Sequence, residues 1–462
     1  MKERVKPSGP AGGRSASPAQ AEGRATGSGG DLLERALEQG NLLRALKRVE
    51  GNRGAAGVDG MGVDELRPYL KAHWLELRER LLAGAYRPNP VRRVEIPKPD
   101  GGVRKLGIPT VLDRFLQQAL LQVLTPVFDP GMSASSYGFR PGRSAHQAVQ
   151  AARQYIREGS TWVVDLDLKQ FFDHVNHDRL MARVAWKVRD RRVLQLIRRY
   201  LQSGVMEQGV VLEVVEGTPQ GGPLSPLLAN IYLDEMDKEL EQRGHTFCRY
   251  ADDCNIYVRS RRAGERVMAG VQKVLEGRLK LQVNEAKSAV DRPWKRQFLG
   301  FSVLLGAEAK IRLAPQSIRK VKDRVREITR RGRSQNPGER IRVLNQFLEG
   351  WVGYFSLAET PSVIDDLDKW LRHRLRACVW RQWRRVRTRY RELRALGLPE
   401  RVVGFMANTR KGPWRIAQSP PLQQGLNGAY WQAQGLLDLN QRYRLLRRPW
   451  RTAGCGPARP VV

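Results

Sequence analysis

The sequence predicts an α+β protein of more than one domain, and three observations carry that prediction. First, two short apolar runs, Phe247-Cys248-Arg249 and Asn255-Ile256-Tyr257-Val258, flank Tyr250-Ala251-Asp252-Asp253, the pattern of a β-hairpin with two carboxylates at its tip. Second, Val163-Val164-Asp165-Leu166-Asp167-Leu168 upstream reads as a buried strand that carries further acids. Third, from about residue 304 the pattern changes to long basic helices. A chain of 462 residues, 41% of them hydrophobic, is long enough for about two or three domains with cores of their own.

In chain order, residues 1–30 are rich in Gly, Ala, Ser and Pro without periodicity, so disorder is expected there. Helical patterning begins at Asp31 and resumes after Gly40 with Leu42, Leu43, Leu46 and Val49 on one face. Arg92, Lys98 and Arg104 flank Pro97 and the Gly101-Gly102 turn, which predicts a basic β-hairpin. Asp113 to Leu121 has the spacing of a core helix. A Gly/Pro loop from Gly217 to Pro226 runs into the helical pattern Leu227-Leu228-Ala229-Asn230-Ile231. Beyond the hairpin lie Leu279 to Ser288 and the short strand pattern Phe298 to Val303. An Arg-rich helix is then expected around Arg381 to Arg391, with Trp380, Trp383 and Tyr390 interleaved so that aromatics pack inward and guanidiniums lie outward.

The charge balance points to a polyanionic partner. Lys and Arg number 81 against 47 Asp and Glu, a formal net charge of +34, which is a nucleic-acid-binding composition. The four cysteines, Cys248, Cys254, Cys378 and Cys455, form no Cys-x-x-Cys pair and have no His at zinc spacing. Neither a disulfide framework nor a zinc module is indicated, and a reducing compartment, the cytoplasm, is expected. No apolar run approaches the roughly 20 residues that span a bilayer, and the N-terminus lacks a signal-peptide core.

An Asp-Asp pair at a tight turn is ordinarily a solvated turn former. Here an acidic strand, a Gly-Gln loop with its helix, and a Tyr-x-Asp-Asp hairpin follow one another in the order of a polymerase palm. Nucleotidyl transfer must activate a primer 3′-hydroxyl and stabilise a leaving pyrophosphate, and two Mg²⁺ ions about 3.5–4 Å apart do both. Mg²⁺ takes hard oxygen ligands and keeps part of its shell for water and phosphate, so a few Asp side chains suffice. Asp167, Asp252 and Asp253 are the expected ligands, with the carbonyl of Leu168 as a further one. Asp165 shares a strand face with Asp167, which leaves the choice between them open, although spacing favours Asp167.

Longer motifs add a family resemblance. Gly57-Val58-Asp59-Gly60, the run from Ile96 to Pro109 and the run Ser136-Tyr137-Gly138-Phe139-Arg140-Pro141-Gly142-Arg143-Ser144-Ala145-His146 are each specific. With the palm-like motifs they resemble bacterial group II intron reverse transcriptase–maturases of the compact group IIC type, from about residue 31 onward. The resemblance implies a right-hand polymerase, with an N-terminal extension and fingers over 31–160 and a palm over 161–303. A helical thumb, the maturase domain X, would occupy 304–400, carrying the signature Leu344 to Phe355, and a short DNA-binding-like region 401–462. It further implies that Arg92, Lys98 and Arg104 close on the triphosphate and that Phe172 lies under the incoming sugar to exclude a 2′-hydroxyl. Gln220 would contact the nascent pair or template, and Lys287 would act as general acid toward pyrophosphate. Phe171 reads as core. Arg381, Arg384, Arg385, Arg387 and Arg389 would lie along intron RNA.

The implied activity is RNA-directed DNA synthesis from dNTPs on an RNA template with a DNA or RNA primer, together with intron RNA binding for splicing and mobility into target DNA. No His follows His373, so no Cys/His-rich second-strand nuclease is expected. Two rival readings share the motifs: an RNA-binding splicing cofactor with a vestigial polymerase site, and a domesticated reverse transcriptase of DNA repair or phage defence.

Overall fold

The computed structural model describes residues 31–97, 102–207, 210–212, 216–218, 221–330 and 337–447, and only the backbone of Arg104, Val210 and Pro337. The expected disorder of residues 1–30, the triphosphate contact at Lys98, the template contact at Gln220, and Cys455 therefore lie outside the described residues.

Among the described residues the strands form three sheets. The strands β1 (Val91–Pro97) and β2 (Val103–Ile108) make the basic hairpin, registered from Arg92 opposite Ile108 to Pro97 opposite Val103. The chain next forms β3 (Trp162–Leu166), then β4 (Val205–Glu207) and β5 (Val210–Leu212), the last two extending the hairpin into a four-stranded sheet in the order β2-β1-β4-β5. The palm sheet uses β6 (Thr246–Tyr250), β7 (Asp253–Val258) and β8 (Ala289–Asp291) in the order β6-β7-β3-β8, so the two acid-bearing strands, β3 and β7, are its inner pair. The small pair β9 (Phe301–Val303) and β10 (Ile311–Leu313) leads to the helices.

Alternation along the palm strands explains how one sheet serves two cores. Val164, Leu166, Cys254 and Ile256 face a core shared with the Ser225–Gln242 and Val111–Phe128 helices. Val163, Cys248 and Tyr257 face a second core shared with the Ala145–Arg157 helix and the C-terminal helices. The Arg261–Val274 helix approaches the sheet at Gly264, where a Cβ would stand 2.5 Å from Val290 Cγ1. Only glycine permits that approach.

Among the described residues every element after β10 is a helix, including Pro315–Ile328, Pro337–Phe355, Pro361–Gln382, Val386–Ala395 and Glu400–Ala407. The expected single Arg-rich helix is in fact two. The first stops at Gln382, and the second starts at Val386. The break lets Trp380 and Trp383 both bury, with their rings 5.8 Å apart and edge to face. The freed carbonyl of Trp383 is then capped by Arg389 Nε at 3.0 Å.

Candidate active site

Tyr250 pairs with Asp253 across the palm hairpin, which leaves Ala251 and Asp252 as its two-residue turn. Ala251 has φ +58, as such turns require at the first central residue. In the β3–β7 register Asp165 faces Asn255 and Leu166 faces Cys254. One further step places Asp167 at the level of Asp253. The site therefore sits at the end of the inner strand pair.

Two groups hold Asp167. Asn284 Nδ2 donates to its Oδ2 at 3.0 Å, and the Asp167 backbone N–H donates to Ser288 Oγ at 3.0 Å. Asn284 N–H donates to the Asp167 carbonyl at 2.8 Å, and Lys169 N–H to the Gln282 carbonyl at 2.9 Å. These bonds flank the bridge between Leu168 and Val283. Leu168's own N–H and C=O consequently point away from Val283, as in any non-hydrogen-bonded antiparallel pair.

Burial pushes the Asp253 carboxyl well above the usual carboxylate range, and Asp165, Asp252 and Asp167 add to that push while Arg296 opposes it. Four acids thus share one field, and a cation would relieve it. The donor set, all carboxylate and carbonyl oxygen, suits a hard divalent ion. Among the described residues no three His, Cys, Asp or Glu side chains are already gathered around one ion position. The donors fit such an ion by chemistry and common position rather than as a closed cage.

Asp165 is differently placed. Arg296 Nε donates to its Oδ2 at 2.7 Å, and the Asn255 amide, in the orientation that satisfies both groups, donates to its Oδ1 at 2.9 Å. Burial raises the Asp165 carboxyl, and Arg296 draws it back. The guanidinium of Arg296 also donates to the carbonyl of Lys287, in an exposed turn whose N–H bonds Asn284. Lys287 therefore stands on the segment that wraps Asp167.

Phe171 is buried, whereas Phe172 is half-buried, with the two rings 5.1 Å apart. Phe172 lines a cavity of about 580 Å³ together with Leu106, Arg114, Phe139, Gly222 and Pro226. The start of the Gly/Pro loop is tied to the same turn, since Thr218 N–H donates to the Phe172 carbonyl at 2.6 Å. Buried His177 meets the Gly217 carbonyl through Nε2 at 2.6 Å.

Two of the residues expected to contact ligand also bond the chain's own backbone. Arg92 directs Nε and a terminal nitrogen to the Ala56 carbonyl, at 3.1 and 2.8 Å, so it braces the hairpin on the preceding loop. Arg389 bonds the carbonyls of Trp383, Ala407 and Thr409 and lies 4.8 Å over the Trp380 ring. Its guanidinium joins helices instead of facing outward. Arg384, Arg385 and Arg387 are exposed, and Arg381 is half-buried.

Sequence reasoning missed Arg249. Its fully buried guanidinium pairs with Asp237 at 2.5 and 2.7 Å and donates to Asn230 Oδ1, Ser136 Oγ and the Ala251 carbonyl at 2.9, 2.8 and 2.9 Å. One side chain thereby joins the Ala251-Asp252 turn, the Ser225–Gln242 helix and the Ser136 motif. The signal was an arginine in an apolar strand, with Asn230 and Asp237 seven residues apart on one face of a helix.

An antiparallel sheet with acids on its inner strands, a fingers hairpin before it and a helical domain after it is a right-hand polymerase. Residues 96–303 match the family model for reverse transcriptase (RNA-dependent DNA polymerase), and residues 318–397 match the group II intron, maturase-specific domain. Protein YkfC of Escherichia coli (strain K12) is 35% identical over 289 residues, 54% of this chain and 76% of that protein. The group II intron-encoded protein LtrA of Lactococcus lactis subsp. cremoris is 36% identical over 206 residues, 44% of this chain and 34% of LtrA. An uncharacterized 91 kDa protein in the cob intron of Schizosaccharomyces pombe is 36% identical over 184 residues, 40% of this chain and 22% of that protein. The alignment thus spans about a third of LtrA.

The chain belongs to the group II intron reverse transcriptases that carry a maturase domain, a family of RNA-directed DNA polymerases. Reverse transcriptases use divalent metal ions, and the maturase-specific domain implies intron RNA binding. Among the described residues no helix is long and apolar enough to cross a membrane.

Proposed function

We propose that this chain copies RNA into DNA with two Mg²⁺ ions at Asp167, Asp252, Asp253 and the Leu168 carbonyl, and that it grips its own intron RNA through the C-terminal helices. The observation that carries the reading is that Asp165, Asp167, Asp252 and Asp253 share one field at the end of β3 and β7, with Arg296 paired to Asp165. When bound, Mg²⁺ supplies charge stabilisation for the attacking 3′-oxygen and the leaving pyrophosphate. Asn284 and Ser288 orient Asp167, and the Arg249 cluster orients the turn bearing Asp252. Lys98 and Arg104 bind the triphosphate, with Arg92 bracing their hairpin. Gln220 contacts the nascent pair or template, and Lys287 gives the proton to pyrophosphate. Residues 31–160, 161–303, 304–400 and 401–462 act respectively as extension with fingers, palm, thumb with maturase domain, and target-DNA contact. The protein works on nucleic acid in the bacterial cytoplasm.

Phe172 sets sugar choice. Phe172→Val is expected to raise rNTP use relative to dNTP in single-nucleotide incorporation by about tenfold or more, the scale at which a pocket-filling group discriminates. Phe171→Val should instead lower stability, because it removes buried aromatic volume. Unchanged sugar discrimination in Phe172→Val would move the gate to another residue.

Intron RNA binding belongs to the exposed cations. Replacing Arg384, Arg385 and Arg387 with Gln is expected to weaken binding to RNA transcribed from the sequence flanking the gene. The slope of log affinity against log salt should fall by about two to three, as fewer counterions are released. Extension on a short generic primer–template should change much less. Equal losses in both assays would place these arginines in the primer–template cleft.

A further inference from the structure

Phe139 carries two costs that the fold alone does not repay. Its ring is 58% exposed, and its φ is +57, a left-handed conformation unfavourable for a phenylalanine. The neighbouring residues hold it there. At Gly138 a Cβ would stand 2.4 Å from Ala251 N, so the chain must run against the catalytic turn, and Asn230 Nδ2 donates to the Gly138 carbonyl at 2.8 Å. On the other side Arg140 bonds Asp129 Oδ1 at 2.7 Å, the Asp129 carbonyl at 2.9 Å and the Ser136 carbonyl at 3.0 Å. Fixed from both flanks, Phe139 has to turn outward.

It turns toward the site. The ring lies 6.1 Å from that of Tyr250 and lines the 580 Å³ cavity that also holds Phe172 and Arg114. Arg114 donates to the Ala55 carbonyl at 2.7 Å, while its buried Nε has no hydrogen-bond partner among the described residues. A strained conformation that its surroundings over-determine, holding an exposed aromatic ring at the lining of a cavity, points to a ligand.

We propose that Phe139 is a further substrate-contact residue, whose ring packs on a nucleoside of the nascent base pair inside this cavity. The inference rests on the polymerase reading above. The nucleoside belongs either to the incoming nucleotide or to the template, and the aromatic face suits both because every base offers a π surface.

Phe139→Asn removes the ring while keeping a residue that tolerates the left-handed conformation. Phe139→Tyr restores the ring. Both variants and wild type are compared by single-nucleotide incorporation on an RNA template, by primer–template binding in fluorescence anisotropy, and by thermal midpoint. Phe139→Asn is expected to keep or raise the midpoint while losing about tenfold in one substrate measure. A rise in KM for dNTP with unchanged primer–template Kd assigns the incoming nucleoside, and a rise in Kd assigns the template nucleoside. Phe139→Tyr should recover most of the loss. The proposal is overturned if Phe139→Asn stays within twofold of wild type in both measures, or if the losses merely follow a lowered midpoint. A wild-type chain that extends no primer would overturn the polymerase reading, and this inference with it.

Discussion

Asp167→Ala, Asp252→Ala and Asp253→Ala are each expected to reduce cDNA synthesis on a primed RNA template by about a thousandfold or more. That is the upper range for deleting one electrostatic stabiliser of a transition state, and a lost metal ligand removes more than one interaction. RNA affinity should stay within a few-fold, because each change removes negative charge from a chain of net charge +34. Asp165→Ala should act differently. Its carboxylate is engaged by Arg296 and Asn255, so its removal leaves Arg296 half-buried without that acid and loosens the Lys287 turn. A smaller loss of activity and a measurable loss of stability are expected. Primer extension and thermal melts on the four variants check the contrast. Equal activity losses at Asp165 and Asp167, with stability unchanged, would put Asp165 among the ligands.

The second large effect is expected at Asp237. Asp237→Ala leaves the fully buried Arg249 guanidinium without its counter-charge, a change that costs about 3–5 kcal/mol in buried pairs. Urea unfolding should report that loss, and cDNA synthesis should fall with it. The double variant Arg249→Met, Asp237→Leu removes both charges and should recover part of the stability, since paired apolar substitutions of similar volume are tolerated in such sites. It should not recover activity. The Ala251 carbonyl loses its donor at 2.9 Å, and the left-handed turn bearing Asp252 loses its brace. Recovery of activity along with stability would show that Arg249 serves folding alone.

The local parts of the site were legible in the sequence, and the reason is periodicity. Two short runs around Tyr250-Ala251-Asp252-Asp253 could hardly be other than a hairpin, and alternation along Val163 to Leu168 already placed the acids on one face. The basic hairpin of β1 and β2 was visible for the same reason, through Pro97 and the glycines that follow. What escaped depends on partners distant in sequence. Asp165 is neutralised by Arg296, which lies 131 positions later, and no local pattern announces such a pair. Arg249 looked like a charge in an apolar strand until the Ser225–Gln242 helix supplied Asp237.

The arginines show a related limit. Sequence places Arg92 on a basic hairpin and Arg389 on a basic helix without saying where their guanidiniums point, so their bonds to backbone carbonyls could not be read from it. The helix break between Gln382 and Val386 carries neither Gly nor Pro. It is set by burial of Trp383 and by the cap from Arg389, both tertiary effects that override local propensity.

RNA-templated DNA synthesis by this chain should depend on ions held by the acids at the end of β3 and β7. The most direct test is DNA product formed by purified protein on a DNA-primed RNA template while Mg²⁺ is titrated from zero, for wild type and for Asp252→Asn/Asp253→Asn. Wild type should synthesise no product without the ion and full-length cDNA with it, and the double variant should synthesise none at any concentration while binding the same primer–template with wild-type affinity. Product from the double variant, or Mg²⁺-independent product from wild type, would show that these acids do not hold the ions of synthesis.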